Sequence, residues 1–239
     1  MRPSYSWGVL CGAYLAKALK IDRVSVVEFG VAGGNGLVAL EKAAEHIELI
    51  LGVGIDVHGF DTGCGLPKPN DYRDLPNLYT ETAYRMDEEK LRARLRRSHL
   101  HLGLIADTLG DFIASQPAPV AFVSIDVDYY SSTTQAFKLL EADESLLLPR
   151  VYFHFDDILG FTCSEFTGER LAISEFNASH PLRKISPIFA LRYELPIQYR
   201  SAQWPEMMYL FHCFDHPLYC ANDGLVKRIV GTPADLKEQ

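Results

Sequence analysis

Short apolar runs that stop at glycine or aspartate, each followed by a stretch with helical spacing, recur along this chain and limit its fold more than any other feature. Val24–Phe29, Val53–Phe60, Leu100–Ile105, Pro119–Ile125 and Val151–Phe155 are rich in β-branched and aromatic residues and read as strands. Gly36–Leu51, Asp87–Arg97, Thr108–Ser115, Ser132–Ala142 and Ser164–Ser179 carry the spacing of helices, as does Tyr5–Leu19 ahead of the first strand. Five β–α units of this kind predict a parallel sheet with helices on both faces. Lys184–Leu195 and Met207–Phe214 read as two further strands with no helix between them, hence a closing antiparallel pair. No repeat or linker divides the chain, so residues 1–22 are expected to form an N-terminal helix and 23–239 one core of the same domain.

The expected class is therefore α/β, a Rossmann-like doubly wound sheet, mostly parallel, with an antiparallel pair at the C-terminus. Such sheets bind ligands at the carboxyl ends of their strands. At the first such end stands Glu28-Phe-Gly30-Val-Ala-Gly33-Gly34-Asn-Gly36. Glycines in a strand-to-helix turn let the backbone approach a ligand, and the helix start offers free N–H groups. Two ligands compete for the loop. Gly34-Asn-Gly36-Leu-Val-Ala39 matches the dinucleotide pattern GxGxxA, with Asp56 as ribose partner, which would make the chain an NAD-dependent oxidoreductase. The acid two residues before Gly30, followed by Gly30-x-x-x-Gly34, resembles motif I of class I methyltransferases, whose cofactor is S-adenosyl-L-methionine.

A second pattern lies downstream. Phe122-Val-Ser-Ile-Asp126-Val-Asp128 ends one strand in two acids, and Val151-Tyr-Phe-His154-Phe-Asp156-Asp157 ends the next in two more. If the strand runs on, Asp126 and Asp128 share a face, and neighbouring parallel strands bring their ends to roughly 4.8 Å. Four carboxylates so gathered repel one another, and a divalent cation relieves them; all-oxygen donors favour Mg²⁺ over zinc. His154 is an alternative base on the same strand. Helix capping is the competing account of any single acid, and Asp107, just before the Thr108 helix, reads as such a cap. Tyr84, Tyr129, Tyr130 and Trp204 are candidates for an acceptor pocket.

These pieces occur in a familiar order. Glu28-Phe-Gly-Val-Ala-Gly-Gly, Gly59-Phe-Asp61-Thr-Gly-Cys-Gly-Leu-Pro67, Ala106-Asp107-Thr-Leu, Ile125-Asp126-Val-Asp128-Tyr-Tyr-Ser-Ser-Thr and Asp156-Asp157 resemble the macrocin O-methyltransferase-like family over residues 24 to 180 or so. The resemblance implies an enzyme that uses S-adenosyl-L-methionine and Mg²⁺ to methylate a hydroxyl of a sugar or other small natural product. It implies a cofactor site at Glu28, Gly30, Gly33, Gly34, Gly36, Asp61 and Asp107, with Asp61 on the ribose. Asp126, Asp156 and Asp157 would bind the metal and Asp128 would be the base, with His154 as second candidate. Where that family has a Pro-Gly-Gly turn, this chain has Leu148-Pro149-Arg150.

Composition excludes some partners. A net charge of −8 argues against nucleic acid or an anionic membrane, and the one basic cluster, Arg92, Arg94, Arg96 and Arg97, is interleaved with acids and reads as a solvated helix face. Five scattered cysteines without a CxxC pair, and no signal peptide or membrane-length apolar run, lead to the expectation of a cytoplasmic protein with free thiols. A non-catalytic Rossmann-like assembly domain stays open as an alternative, as does a homo-oligomer.

Overall fold

A computed structural model describes residues 2–160 and 164–221; Cys163 and the end of the expected core lie outside the described residues. Helix α1 (Pro3–Ala18) precedes strand β1 (Arg23–Phe29), and α2 (Asn35–Leu51) leads to β2 (Gly54–Asp61). The chain continues through α3 (Glu88–Arg92), β3 (His99–Leu102), α4 (Ile105–Ala114), β4 (Val120–Ile125), α5 (Tyr130–Ala136), β5 (Leu147–Phe155) and α6 (Gly168–Ser179). It closes with β6 (Arg183–Pro187), α7 (Leu191–Glu194) and β7 (Met208–Cys213).

The seven strands form one sheet in the order β3-β2-β1-β4-β5-β7-β6. β1 to β5 are parallel, and β7 runs antiparallel between β5 and β6. The fold is the expected Rossmann-like one, with the antiparallel pair at the C-terminus. After β3 the chain crosses back to place β4 beside β1, so the order reverses there and the carboxyl ends of β1 and β4 open a crevice. Every residue of β4 is buried, as a central strand covered on both faces requires. The core runs through β1, β2, β4 and β5 and the helices on them, and includes Phe29, Leu37, Phe60, Phe122 and Phe155.

Several elements differ from expectation. The expected Asp87–Arg97 helix is only Glu88–Arg92, started by the Asp87 side chain accepting from Lys90 N–H at 3.1 Å. It stops because the N–H groups of Arg96, Arg97 and Ser98 all donate to the Glu41 carboxylate, at 2.7–3.2 Å, instead of to helix carbonyls. The basic cluster is thus more than a solvated face. Arg94 donates to Gly33 O and Asn35 Oδ1, both at 2.8 Å, and Arg97 makes a two-pronged pair with Glu48. The strand expected over Lys184–Leu195 ends at Pro187, whose ring removes a ladder donor, and a helical turn follows. Leu148-Pro149-Arg150 lies within β5, where the pairing with β4 slips register. Cys11, Cys64, Cys213 and Cys220 are free thiols. Among the described residues no helix is long and apolar enough to cross a membrane.

Candidate active site

A cavity of roughly 600 Å³ opens at the carboxyl ends of β1, β2, β4 and β5. One end is the glycine loop. β1 stops at Gly30, whose φ of 87° suits glycine and whose missing Cβ would stand 1.7 Å from Asp126 O. Gly34 caps α2 in the left-handed region, and a Cβ there would meet Leu91 at 2.0 Å. That corrects the reason for this glycine: the backbone turn and the packing of α3 require it, more than ligand approach does. A Cβ on Gly36 would lie 1.8 Å from Glu28 Oε1, so its absence makes room for that carboxyl. Gly33 is exposed with open space around it.

Asp61, at the end of β2, ties the loop down. Its Oδ2 accepts from Val31 N–H at 2.9 Å and Ala32 N–H at 2.8 Å, and its Oδ1 from Gly63 N–H at 2.6 Å. Glu28 is 1% exposed; its Oε1 accepts from the Tyr5 hydroxyl at 2.7 Å, while Oε2 has no hydrogen-bond partner. Burial pushes its pKa up to about 8, against the Tyr5 hydrogen bond, which lowers it. Phe60, Leu104, Ile105 and Ala106 add an apolar wall beside Asp61. Asp107 is a correction: α4 begins at Ile105, three residues before the expected start, so Asp107 sits exposed inside the first turn and neither caps the helix nor lines the cavity. Asp56 is likewise elsewhere, paired with Arg23 at 2.6 Å, opposite Ser25 of β1.

The other end is acidic. Asp126 N–H donates to Phe29 O and Asp156 N–H to Ile125 O, both at 2.9 Å, so the two acids prolong adjacent strands by one rung. Asp126, Asp128, Asp156 and Asp157 all line the cavity. The two-residue alternation is not what places Asp128. β4 ends at Ile125, and Asp128 is held at φ 60°, with its N–H donating to Asp157 Oδ2 at 3.1 Å. Aspartate tolerates that left-handed conformation better than most residues, and such strain clusters at functional sites. Burial, then Asp156 and Asp157, raise the Asp126 pKa to about 7. Burial, then Asp157 and Asp126, raise Asp128 to about 8, and burial, then Asp156, raise Asp157 to about 6. Arg2 lies 3.6 Å from Asp126.

His154 is a second correction. It is buried off the cavity wall, with Nδ1 3.4 Å from Ser124 Oγ and its ring against Tyr5 at 5.3 Å. Burial drops its pKa to about 3, so it is a neutral packed histidine rather than a base facing a ligand. Of the four candidate aromatics only Tyr84 lines the cavity; Trp204 packs on Trp7 and Tyr130 donates to Glu175.

Four residues were missed. Tyr79 donates to Asp157 Oδ1 at 3.2 Å, and Tyr5 and Arg2 come from α1 and its N-cap. Glu169 is fully buried, neither of its oxygens has a hydrogen-bond partner, and its pKa is driven well up by burial and then by the four aspartates. Its spacing with Ala172, Ile173 and Phe176 puts it on the buried stripe of α6, which was the available signal. Among the described residues, no three His, Cys, Asp or Glu side chains are drawn into a ready coordination sphere.

No protein-family model matches the chain, and no curated protein matches it in sequence. Solved structures do. CalS11, a calicheamicin methyltransferase, superimposes with a TM-score of 0.52 at 23% identity, over 71% of this chain and 70% of that one. The O-methyltransferase NovP superimposes with a TM-score of 0.54 at 15% identity, over 86% of this chain and 79% of that one. The likeness is one of fold: this chain has the Rossmann-like architecture of these methyltransferases.

Proposed function

We propose that the chain is an S-adenosyl-L-methionine-dependent, Mg²⁺-assisted O-methyltransferase acting on a hydroxyl of a sugar or other small natural product. One observation carries the reading: a single cavity joins a glycine loop with an unpartnered acid oxygen to four carboxylates on adjoining strand ends. The reaction classes of CalS11 and NovP support it.

The residues fit the cofactor. Phe60, Leu104 and Ile105 offer an apolar wall for an adenine ring, Asp61 at the end of β2 would accept from ribose hydroxyls, and Glu28, with its unpartnered Oε2, would take an ammonium. Gly30, Gly34 and Gly36 shape the wall between, and Gly33 borders it. When bound, the cofactor supplies a methyl group on a sulfonium. The donor set at the acidic end, all carboxylate oxygen and short of positive charge, fits a hard divalent cation held by Asp126, Asp156 and Asp157. When bound, that ion supplies Lewis acidity toward an acceptor oxygen.

The chain's own work is placement and proton transfer. Holding donor and acceptor in line removes the entropy of bringing them together. Asp128, at the cavity wall, would accept the proton that the acceptor hydroxyl gives up. Burial raises its affinity for that proton, as suits a base. The dinucleotide reading loses its ribose acid, because Asp56 is committed to Arg23.

Calorimetry of the purified protein with S-adenosylhomocysteine and, separately, NAD⁺ tests the proposal. Saturable binding of the first alone is expected. Binding of NAD⁺ alone would sink the methyltransferase reading, and binding of neither would favour the assembly reading.

A further inference from the structure

Helix α1 lies outside the β–α alternation, yet it presses closely on the sheet. A Cβ at Gly12 would stand 2.8 Å from Ala121 O, so only a side-chain-free helix face reaches β4 this closely. That approach buries Tyr5 completely, with its ring against Phe122 and His154 at 5.7 and 5.3 Å.

The hydroxyl of Tyr5 is fully committed. Arg2 Nη1 donates to it at 2.9 Å and Ser124 Oγ at 2.8 Å, which fills both of its lone pairs. Its one proton is therefore left for Glu28 Oε1, 2.7 Å away. Oε1 is also the oxygen that the missing side chain of Gly36 accommodates. One carboxyl oxygen is thus held by the Tyr5 hydroxyl in the space that Gly36 leaves, while Oε2, a buried oxygen of a residue that lines the cavity, has no hydrogen-bond partner.

We infer that Tyr5 is a positioning residue for ligand binding: it fixes the Glu28 carboxyl in one orientation, with Oε2 turned to the cationic, amino-acid part of the cofactor. The inference rests on the methyltransferase reading. It adds that a helix outside the alternating units completes the cofactor site. A bare carboxyl pivoting about its side chain would have to be ordered on binding; one held by a buried phenol is ordered beforehand.

The test is Tyr5→Phe, which keeps the ring packing and removes the donor. Its affinities for S-adenosylhomocysteine and for 5′-methylthioadenosine, which lacks the amino-acid part, are measured by calorimetry. The first is expected to weaken about tenfold and the second by less than about twofold. In a Glu28→Gln background, Tyr5→Phe should cause no further loss, since coupled residues are not additive. An unchanged affinity for S-adenosylhomocysteine, or equal loss for both ligands, overturns the inference while leaving the cofactor assignment standing. Wild-type protein that binds neither ligand overturns the methyltransferase reading, and the inference with it. Should Tyr5→Phe not fold, Ser124→Ala removes one of the donors that orient the hydroxyl. It should give the same selective loss at roughly threefold, and no selectivity there also overturns the inference.

Discussion

The two ends of the cavity hold their acids in opposite ways. At the loop end, Asp61 takes three backbone N–H groups and one Glu28 oxygen takes the Tyr5 hydroxyl, so the chain itself holds both carboxyls in place. At the acidic end, burial raises the pKa values of Asp126, Asp128, Asp156, Asp157 and Glu169, neighbouring aspartates push all but Asp156 further up, and Arg2 lies 3.6 Å from Asp126. The contrast separates two kinds of site. The first is organised before anything binds; the second carries an excess of negative charge that a bound cation would offset.

Gly30 is where the two ends touch, and its substitution should have the largest effect. Gly30→Ala forces a side chain into a left-handed residue against the Asp126 carbonyl. It should cost roughly 3 kcal/mol or more in denaturant unfolding. Gly33→Ala, in the same loop but with open space, should stay within about 0.5 kcal/mol. Equal stability of the two variants would mean that the ends are not joined through Gly30.

The next pair asks whether the ends act separately. Asp156→Asn should abolish a saturable Mg²⁺ titration and lower methyl transfer by roughly 10²-fold, with S-adenosylhomocysteine affinity within about threefold. Asp61→Ala frees the Val31 and Ala32 N–H groups and should weaken S-adenosylhomocysteine by roughly 10- to 100-fold, since each hydrogen bond to a charged group is worth about 1.5–3 kcal/mol. Its Mg²⁺ titration should be retained. Loss of both properties in both variants would break the comparison.

A smaller effect concerns pH. Asp126 binds its proton more tightly folded, with a pKa near 7, than unfolded, so the folded state holds the extra proton between the two values. Metal-free stability should therefore fall as pH rises from about 4 to about 7, by about 5 °C in Tm. Asp126→Asn should flatten that slope. The histidine pair on β2 and β3 has the opposite sign. His58, 3.2 Å from His101, has its pKa depressed to about 3 by burial and then by its neighbours, so its contribution is lost as pH drops below about 6.5. Thermal melts of Asp126→Asn and His58→Gln across pH 4–8 separate the two slopes.

A modest gain is expected of Glu169→Gln, which removes a buried ionisable group and keeps its shape. Stability at pH 8 should rise by roughly 1 kcal/mol, because an unpartnered buried carboxylate is costly when it ionises. A loss of stability instead would mean that Glu169 is held by a partner of positive charge.

Much of the site was legible because acids and glycines at strand ends are local signals. Glu28, Gly30, Asp61, Asp126, Asp156 and Asp157 each close an apolar run, and parallel pairing carries all of them to one edge of the sheet. Asp107 and His154 misled for equally local reasons. A helix that starts three residues early turns a cap into an exposed first-turn acid. A histidine two residues before a cavity acid is buried instead, because Tyr5 of α1 packs against its ring at 5.3 Å.

The order of strands and helices, and the acids and glycines at the strand ends, followed from the sequence alone, because burial periodicity and turn chemistry depend on near neighbours in the chain. The partners of those acids did not. Tyr5 reaches Glu28 across 23 positions, Ser124 reaches Tyr5 across 119, Arg94 reaches Gly33 across 61, and Tyr79 reaches Asp157 across 78. Contacts at such separations exist only once helices and loops have docked on the sheet, and nothing in the spacing of these residues records where they will land. Tertiary packing also decided which acids were satisfied and which were left crowded, since that depends on which donors end up buried beside them.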